Sequence, residues 1–216
     1  MRELVVYGAS GFGQQVMFWV EAAVAGGREF ELTGYVDDDA TTHGEVRSGY
    51  PVLGGAGWLR RHAEEKAVAV VLGLAGPHVK ERVVAGLTGF GIQFPAFAHP
   101  SAVISRHAEL GFGVVVGPGN VVSIGVRLAE FATVNTACTI GHDARVGRYA
   151  TLLPGVNVSG AVSVEEAATV GTGAAVIQGV TIGAGATVGA GATVVSDLPG
   201  GCVAVGTPAR PRDPGG

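Results

Sequence analysis

Wide side chains are scarce in this sequence: aromatic residues make up 6% of its 216 positions. A core built on stacked rings is excluded, and a narrow interior is favoured. Charge is thin as well, at 15% against a usual ~25%. Lysine occurs only as Lys66 and Lys80 and the formal net charge is -4, which excludes a surface built to neutralise nucleic-acid phosphates. Two cysteines, Cys138 and Cys202, are too few for a disulfide framework. No apolar run reaches the ~18 residues of a membrane span, and the short apolar stretch near the N terminus reads as a strand rather than a signal peptide. The cytoplasm is the expected compartment.

What the chain has instead is an aliphatic residue at every sixth position from Ile104 to Val194, sixteen times without a gap. A period of six fits neither the 3-to-4 spacing of a helical stripe nor the alternation of an ordinary strand, and it predicts a hexapeptide-repeat β-solenoid. Four residues after each anchor stands a second set, nearly all small or apolar, from Ala108 through Asn120, Cys138 and Ala144 to Leu198. One large and one small inward position per hexad suit a triangular prism whose walls are short parallel strands, stacked about 4.7–4.9 Å apart. Glycines one residue after the anchor, such as Gly141 and Gly147, are expected at corners, where a backbone without Cβ turns freely.

The first half reads differently. Leu4 to Tyr7, a glycine-rich turn over Gly8–Gly13 and a helix from Gln14 to about Ala25 make a strand–turn–helix unit. Further strands are expected at Leu32–Val36, ending in Asp37 and Asp38, and at Val68–Leu72, ending in Gly73, with a helix over His78–Leu87. Residues 1–98 therefore read as a small Rossmann-like βαβ domain, and residues 99–216 as the solenoid with a short tail. In such sheets ligands bind beyond the carboxyl ends of the strands, where Ser10, Gly11, Asp37, Asp38 and Gly73 fall. The turn spacing misses the dinucleotide fingerprint. It leaves open a nicotinamide cofactor, a purely structural turn, or a different nucleotide held by backbone N–H groups at the helix start.

Chemistry in the solenoid has few candidates. Between Ile104 and Pro199 the only histidines are His107 and His142, and only His142 has an acid beside it, Asp143. His142 lies two residues past its anchor, on an outward corner, in a column with Ile124 and Gly160. Gly160 is expected to leave a gap where a substrate fits. An imidazole with a carboxylate to fix its tautomer suits a general base, although a bare surface histidine is the plainer alternative.

The segments Tyr7-Gly8-Ala9-Ser10-Gly11-Phe12-Gly13, Val36-Asp37-Asp38, Val134-Asn135-Thr136, Ile140-Gly141-His142-Asp143 and Val205-Gly206-Thr207-Pro208-Ala209-Arg210 together resemble the NeuD/PglD family, sugar acyltransferases with a left-handed parallel β-helix. The resemblance implies acetyl-CoA as co-substrate, no metal, and a homotrimer with active sites between subunits. It implies N-acetylation of a UDP-4-amino-sugar type of acceptor by direct transfer, with O-acetylation of sialic acid or another sugar as the alternative. Carried over by position, His142 is the base and Asp143 its acid. Ser10, Gly11, Phe12, Asp37, Asp38, Gly73 and Asn135 hold the nucleotide sugar; Thr151, Gly160, Thr172 and Ala190 line the coenzyme groove. The chain departs from the family at Thr151 and Phe12, where histidines are usual, at Gly141, where a glutamate is frequent, and at Ala190, where glycine stands. Phe12 is open to two readings, stacking on an acceptor ring or filling the turn. A zinc enzyme on the same solenoid needs a third histidine that the repeat lacks, and a non-catalytic trimeric scaffold that only binds nucleotide sugars is the competing class.

Overall fold

The computed structural model of the chain describes residues 2–27 and 29–212, so residues 213–216 of the expected tail lie outside the described residues. Two compact units are present, Met1–Pro100 and Ser101–Gly216. The first runs β1 (Arg2–Tyr7), α1 (Gly11–Ala25), β2 (Phe30–Val36), the hairpin β3 (Val46–Arg47) and β4 (Tyr50–Pro51), α2 (Ala56–Glu65), β5 (Val68–Leu72) and α3 (Pro77–Leu87). Central β1 pairs in parallel with β2 on one side and β5 on the other. Every residue of β5 is buried, the continuous apolar run typical of a parallel strand covered on both faces. The register sets Tyr7 opposite both Val36 and Leu72, so Gly8, Asp37 and Gly73 follow together at the carboxyl ends of the strands. Helix α1 begins at Gly11 rather than Gln14, because extended Ser10 serves as its N-cap residue and the Gln14 N–H already bonds to the Ser10 carbonyl at 2.9 Å.

The second unit is a parallel β-solenoid. Each hexad contributes a two-residue strand, and successive coils pair in register: Val121 with Thr139, Arg127 with Arg145, Thr133 with Thr151. A first wall stacks the strands from Val103–Ile104 to Thr193–Val194, and a second those from Glu109–Leu110 to Thr181–Ile182. The third stacks those from Val115–Val116 to Thr187–Val188 and is finished by Val203–Val205 and antiparallel Arg210–Pro211. The aliphatic anchors from Val116 to Val194 are each at most 3% exposed. Burial of each Val or Leu contributes about 1.5–3 kcal/mol, so the ladder is the source of the solenoid's stability. Asn120, inside the prism, is fully buried but satisfied: its amide donates to the Gly117 and Asn135 carbonyls and accepts from the Cys138 N–H, each at 2.7 Å.

Two expectations about the repeat are corrected by its geometry. Glycine after the anchor is required by stacking rather than by turning: a Cβ on Gly141 would stand 2.6 Å from the Gly160 nitrogen, and one on Gly147 would stand 2.5 Å from the Glu166 nitrogen. Left-handed backbone falls two residues later, at Gly119 and Gly125 but also at Phe131, Ala137, Asp143 and Tyr149. The ladder also slips once. Leu198, expected in the small inward register, instead bridges Ile182, and Val188 pairs with Ala204, so the last coil is two residues shorter than the others.

Candidate functional site

His142 and Asp143 occupy the corner between the first and second walls, after the strand Thr139–Ile140 and before Arg145–Val146. The His142 Nδ1 and the Asp143 Oδ2 are 2.9 Å apart, and both side chains are more than half exposed, at 55% and 68%. The carboxylate can only accept, so Nδ1 carries a proton, and in the neutral imidazole Nε2 then presents the lone pair; this tautomer follows from the partner. Coil stacking fixes the backbone of the pair from both sides. The Asp143 N–H donates to the Ile124 carbonyl at 3.0 Å, and the His142 carbonyl accepts from the Ala161 N–H at 2.8 Å. Asp143 itself has φ +60°, a left-handed conformation that aspartate tolerates better than most residues.

The expected gap over Gly160 is filled by the protein itself. A Cβ on Gly160 would stand 2.5 Å from the Nε2 of His142 and 2.7 Å from its Cε1, so the imidazole lies in the space that the glycine vacates. Of the other solenoid candidates, Asn135 sits one corner earlier, after Thr133–Val134, and is 4% exposed. Its Oδ1 accepts from the Thr136 N–H at 2.8 Å. Thr151 lies on the third wall and is 1% exposed. Thr172 and Ala190 follow the third-wall strands Thr169–Val170 and Thr187–Val188, on the corner that leads back to the first wall. Only Gly160 therefore shares an edge of the prism with His142. Cys138 points inward, with Sγ 3.2 Å from the Leu153 carbonyl, and burial pushes its thiol up, away from thiolate.

In the first unit the glycines are packed against backbone. A Cβ on Gly13 would collide with the Gly8 carbonyl oxygen, and one on Gly73 would stand 2.6 Å from the Gly13 Cα, whereas beside Gly11 there is open space. Ser10 is exposed and its side chain caps none of the first N–H groups of α1. Both acids are engaged in local architecture. Asp37 accepts the Ala9 and Asp39 N–H groups at 2.7 and 2.9 Å; Asp38 accepts the Tyr7 hydroxyl at 2.7 Å and the Ala56 N–H at 2.9 Å. Burial, and then the bond to Asp38, push the Tyr7 phenol up, so it stays a donor. The half-buried Phe12 ring packs edge-on against Trp19 at 5.9 Å, which favours the turn-filling reading. Sequence reasoning missed a neighbouring cleft of about 380 Å³, lined by Asp38, His43, Gly55, Trp58 and Arg61 among others. Its signal was the small-residue run Gly54-Gly55-Ala56-Gly57 ahead of Trp58. Among the described residues, no three of His, Cys, Asp and Glu converge as metal ligands, and no helix is long and apolar enough to cross a membrane.

Residues 3–87 match the sequence profile of the PglD N-terminal domain. GDP-perosamine N-acetyltransferase of Escherichia coli O157:H7 is 29% identical over 157 residues, which cover 72% of this chain and 69% of that protein. PerB from Caulobacter crescentus, solved with CoA and GDP-perosamine, is 31% identical with a TM-score of 0.91, over 99% of this chain and 98% of that one. Variants of the Caulobacter enzyme with one histidine changed to asparagine or alanine were solved with the same two molecules. The acetyltransferase domain of PglB from Neisseria gonorrhoeae FA1090, solved with acetyl coenzyme A, is 32% identical with a TM-score of 0.88, over 98% of this chain and 99% of that one.

Proposed function

This chain belongs to the NeuD/PglD-like family of sugar acetyltransferases, and we propose that it transfers an acetyl group from acetyl-CoA to the amine of a GDP-linked amino sugar. The nucleotide is where the proposal departs from the UDP-linked acceptor expected from the sequence. Its support is that both perosamine enzymes are named for, or solved with, a GDP-linked sugar.

The observation that carries the reading is the 2.9 Å contact between His142 Nδ1 and Asp143 Oδ2 on an exposed corner whose backbone is held by both neighbouring coils. The bond leaves Nε2 free to take a proton. As the sugar amine attacks the thioester carbonyl, the N–C bond forms, Nε2 removes the proton from nitrogen, and the C–S bond breaks to release CoA thiolate. Asp143 stabilises the imidazolium that results. Transfer is direct: the nearest cysteine in sequence, Cys138, is buried inside the prism as a neutral thiol and offers no acyl acceptor.

The coenzyme residues support a second part of the proposal, a homotrimer. Gly160 is on the His142 edge while Thr172 and Ala190 are on another edge of the same prism, so one groove can contain all three only if two chains contribute edges. The exposed apolar residues Val103, Val121, Ile124, Ile177 and Val195 lie on the first wall and the His142 corner, where a neighbour would cover them. Sedimentation equilibrium is expected to give three times the chain mass; a monomer at micromolar concentration contradicts it.

In the first unit, the open N-terminus of α1 and the cleft around Trp58 are proposed to take the diphosphate and the base. The test is CoA-thiol release with matched GDP- and UDP-linked amino sugars and their hydroxyl analogues. A kcat/KM for the GDP-linked amine at least about tenfold above every other acceptor, or ~1.4 kcal/mol, is expected. A preference for the UDP-linked amine overturns the nucleotide assignment, and a preference for the hydroxyl analogue overturns N-acetylation. Tight nucleotide-sugar binding with no thiol release from any acceptor leaves the non-catalytic scaffold.

A further inference from the structure

We infer that Gly160 is a positioning residue for the proposed base: the side chain it lacks is what allows the His142 imidazole to lie where it does. The inference rests on the reading of His142 as the base. Successive coils set Ile124-Gly125, His142-Asp143 and Gly160-Ala161 one above another at a single corner. Each member of the dyad fills the space vacated by a glycine in an adjacent coil. A Cβ on Gly160 would stand 2.5, 2.7 and 3.0 Å from His142 Nε2, Cε1 and Cδ2, and a Cβ on Gly125 would collide with Asp143 Oδ1.

The two glycines differ in one useful respect. Gly125 has φ +71°, so any substitution there strains the backbone as well. Gly160 is outside the left-handed region, so alanine fits its main chain. The atoms an alanine methyl would meet first belong to the far end of a side chain that can rotate, while the His142 backbone cannot retreat, because its carbonyl is bonded to the Ala161 N–H at 2.8 Å. Relief therefore comes by swinging the ring. That motion breaks the Nδ1–Asp143 contact and moves Nε2, with the coil left intact.

The test is a double-mutant cycle on the full-length protein with two readouts. In wild type, Gly160→Ala is expected to lower kcat by about 10²-fold, the order that follows from misplacing a reacting group by about 1 Å. In a His142→Ala background, where the ring is gone and the methyl has room, Gly160→Ala is expected to lower the residual rate at saturating acetyl-CoA by no more than about twofold. NMR of protein labelled at histidine Cε1 supplies a readout that needs no substrate. Of the six histidine signals, the one lost in His142→Ala is expected to shift in Gly160→Ala. An unmoved signal overturns the inference. So does an equal loss of rate in both backgrounds at saturating acetyl-CoA, which would make Gly160 a coenzyme contact only. Full activity of His142→Ala would instead overturn the base assignment, and the NMR shift would still report on the packing.

Discussion

His142→Gln is expected to lower kcat by about 10²–10⁴-fold, with acetyl-CoA and nucleotide-sugar affinities and thermal stability unchanged. The magnitude follows from the role. Without a base, the attacking amine must carry its proton into the transition state. The sparing of stability follows from position: the side chain is 55% exposed, and the coil is held by backbone bonds from Asp143 and Ala161 that the substitution leaves in place. Asp143→Asn is expected to lose less, because an amide oxygen still accepts from Nδ1 but without the charge that stabilises the imidazolium. Single-turnover rates at saturating substrates separate this chemistry from binding. An activity within about threefold of wild type for His142→Gln would remove His142 from the mechanism.

The second large effect is structural and belongs to the first unit. Gly13→Ala puts a methyl group into the Gly8 carbonyl oxygen, a collision with backbone that no rotamer relieves. Helix α1 must lift from the strand end, at a cost of about 1–3 kcal/mol or more. For a unit of this size that corresponds to a fall in Tm of about 5–20 °C. Nucleotide-sugar affinity is expected to drop more than tenfold, or ~1.4 kcal/mol, because the turn and the first N–H groups of α1 move together, while acetyl-CoA binding persists. Gly11→Ala is the control. Its added methyl meets no protein atom within 4 Å, so stability should hold or rise slightly. A loss of nucleotide affinity there at unchanged Tm would mark the open side of Gly11 as the ligand's path. Calorimetry with GDP, alongside thermal melts of the two variants, reads both effects, and equal stability of Gly13→Ala and wild type contradicts the packing argument.

Much of this was legible in the sequence, for reasons that can be stated residue by residue. A strict period of six admits one architecture, so the anchors from Ile104 to Val194 located the walls, and simple counting set His142 on an outward corner with Gly160 in its column. Counting could not say which way a side chain turns. The space over Gly160 therefore read as room for a substrate, when it is where the imidazole lies. Nor could it separate the two reasons for glycine at a corner, since Gly141 answers to the next coil's backbone while the left-handed position two residues on is Asp143. Helix α2 escaped because Leu59 is the one residue in it that is buried, leaving no apolar stripe to detect. Asp37 and Asp38 were recognisable as acids at a strand end, but that their oxygens already hold Ala9, Tyr7 and Ala56 depends on segments brought together from distant parts of the chain.

Identification of the product from acetyl-CoA and a GDP-linked amino sugar, by liquid chromatography with tandem mass spectrometry, tests the central claim most directly. A gain of one acetyl group on the sugar nitrogen is expected with wild-type protein, and none above the uncatalysed background with His142→Gln at the same concentration. Acetylation of a hydroxyl, or equal yields of the amide from wild type and His142→Gln, would contradict it.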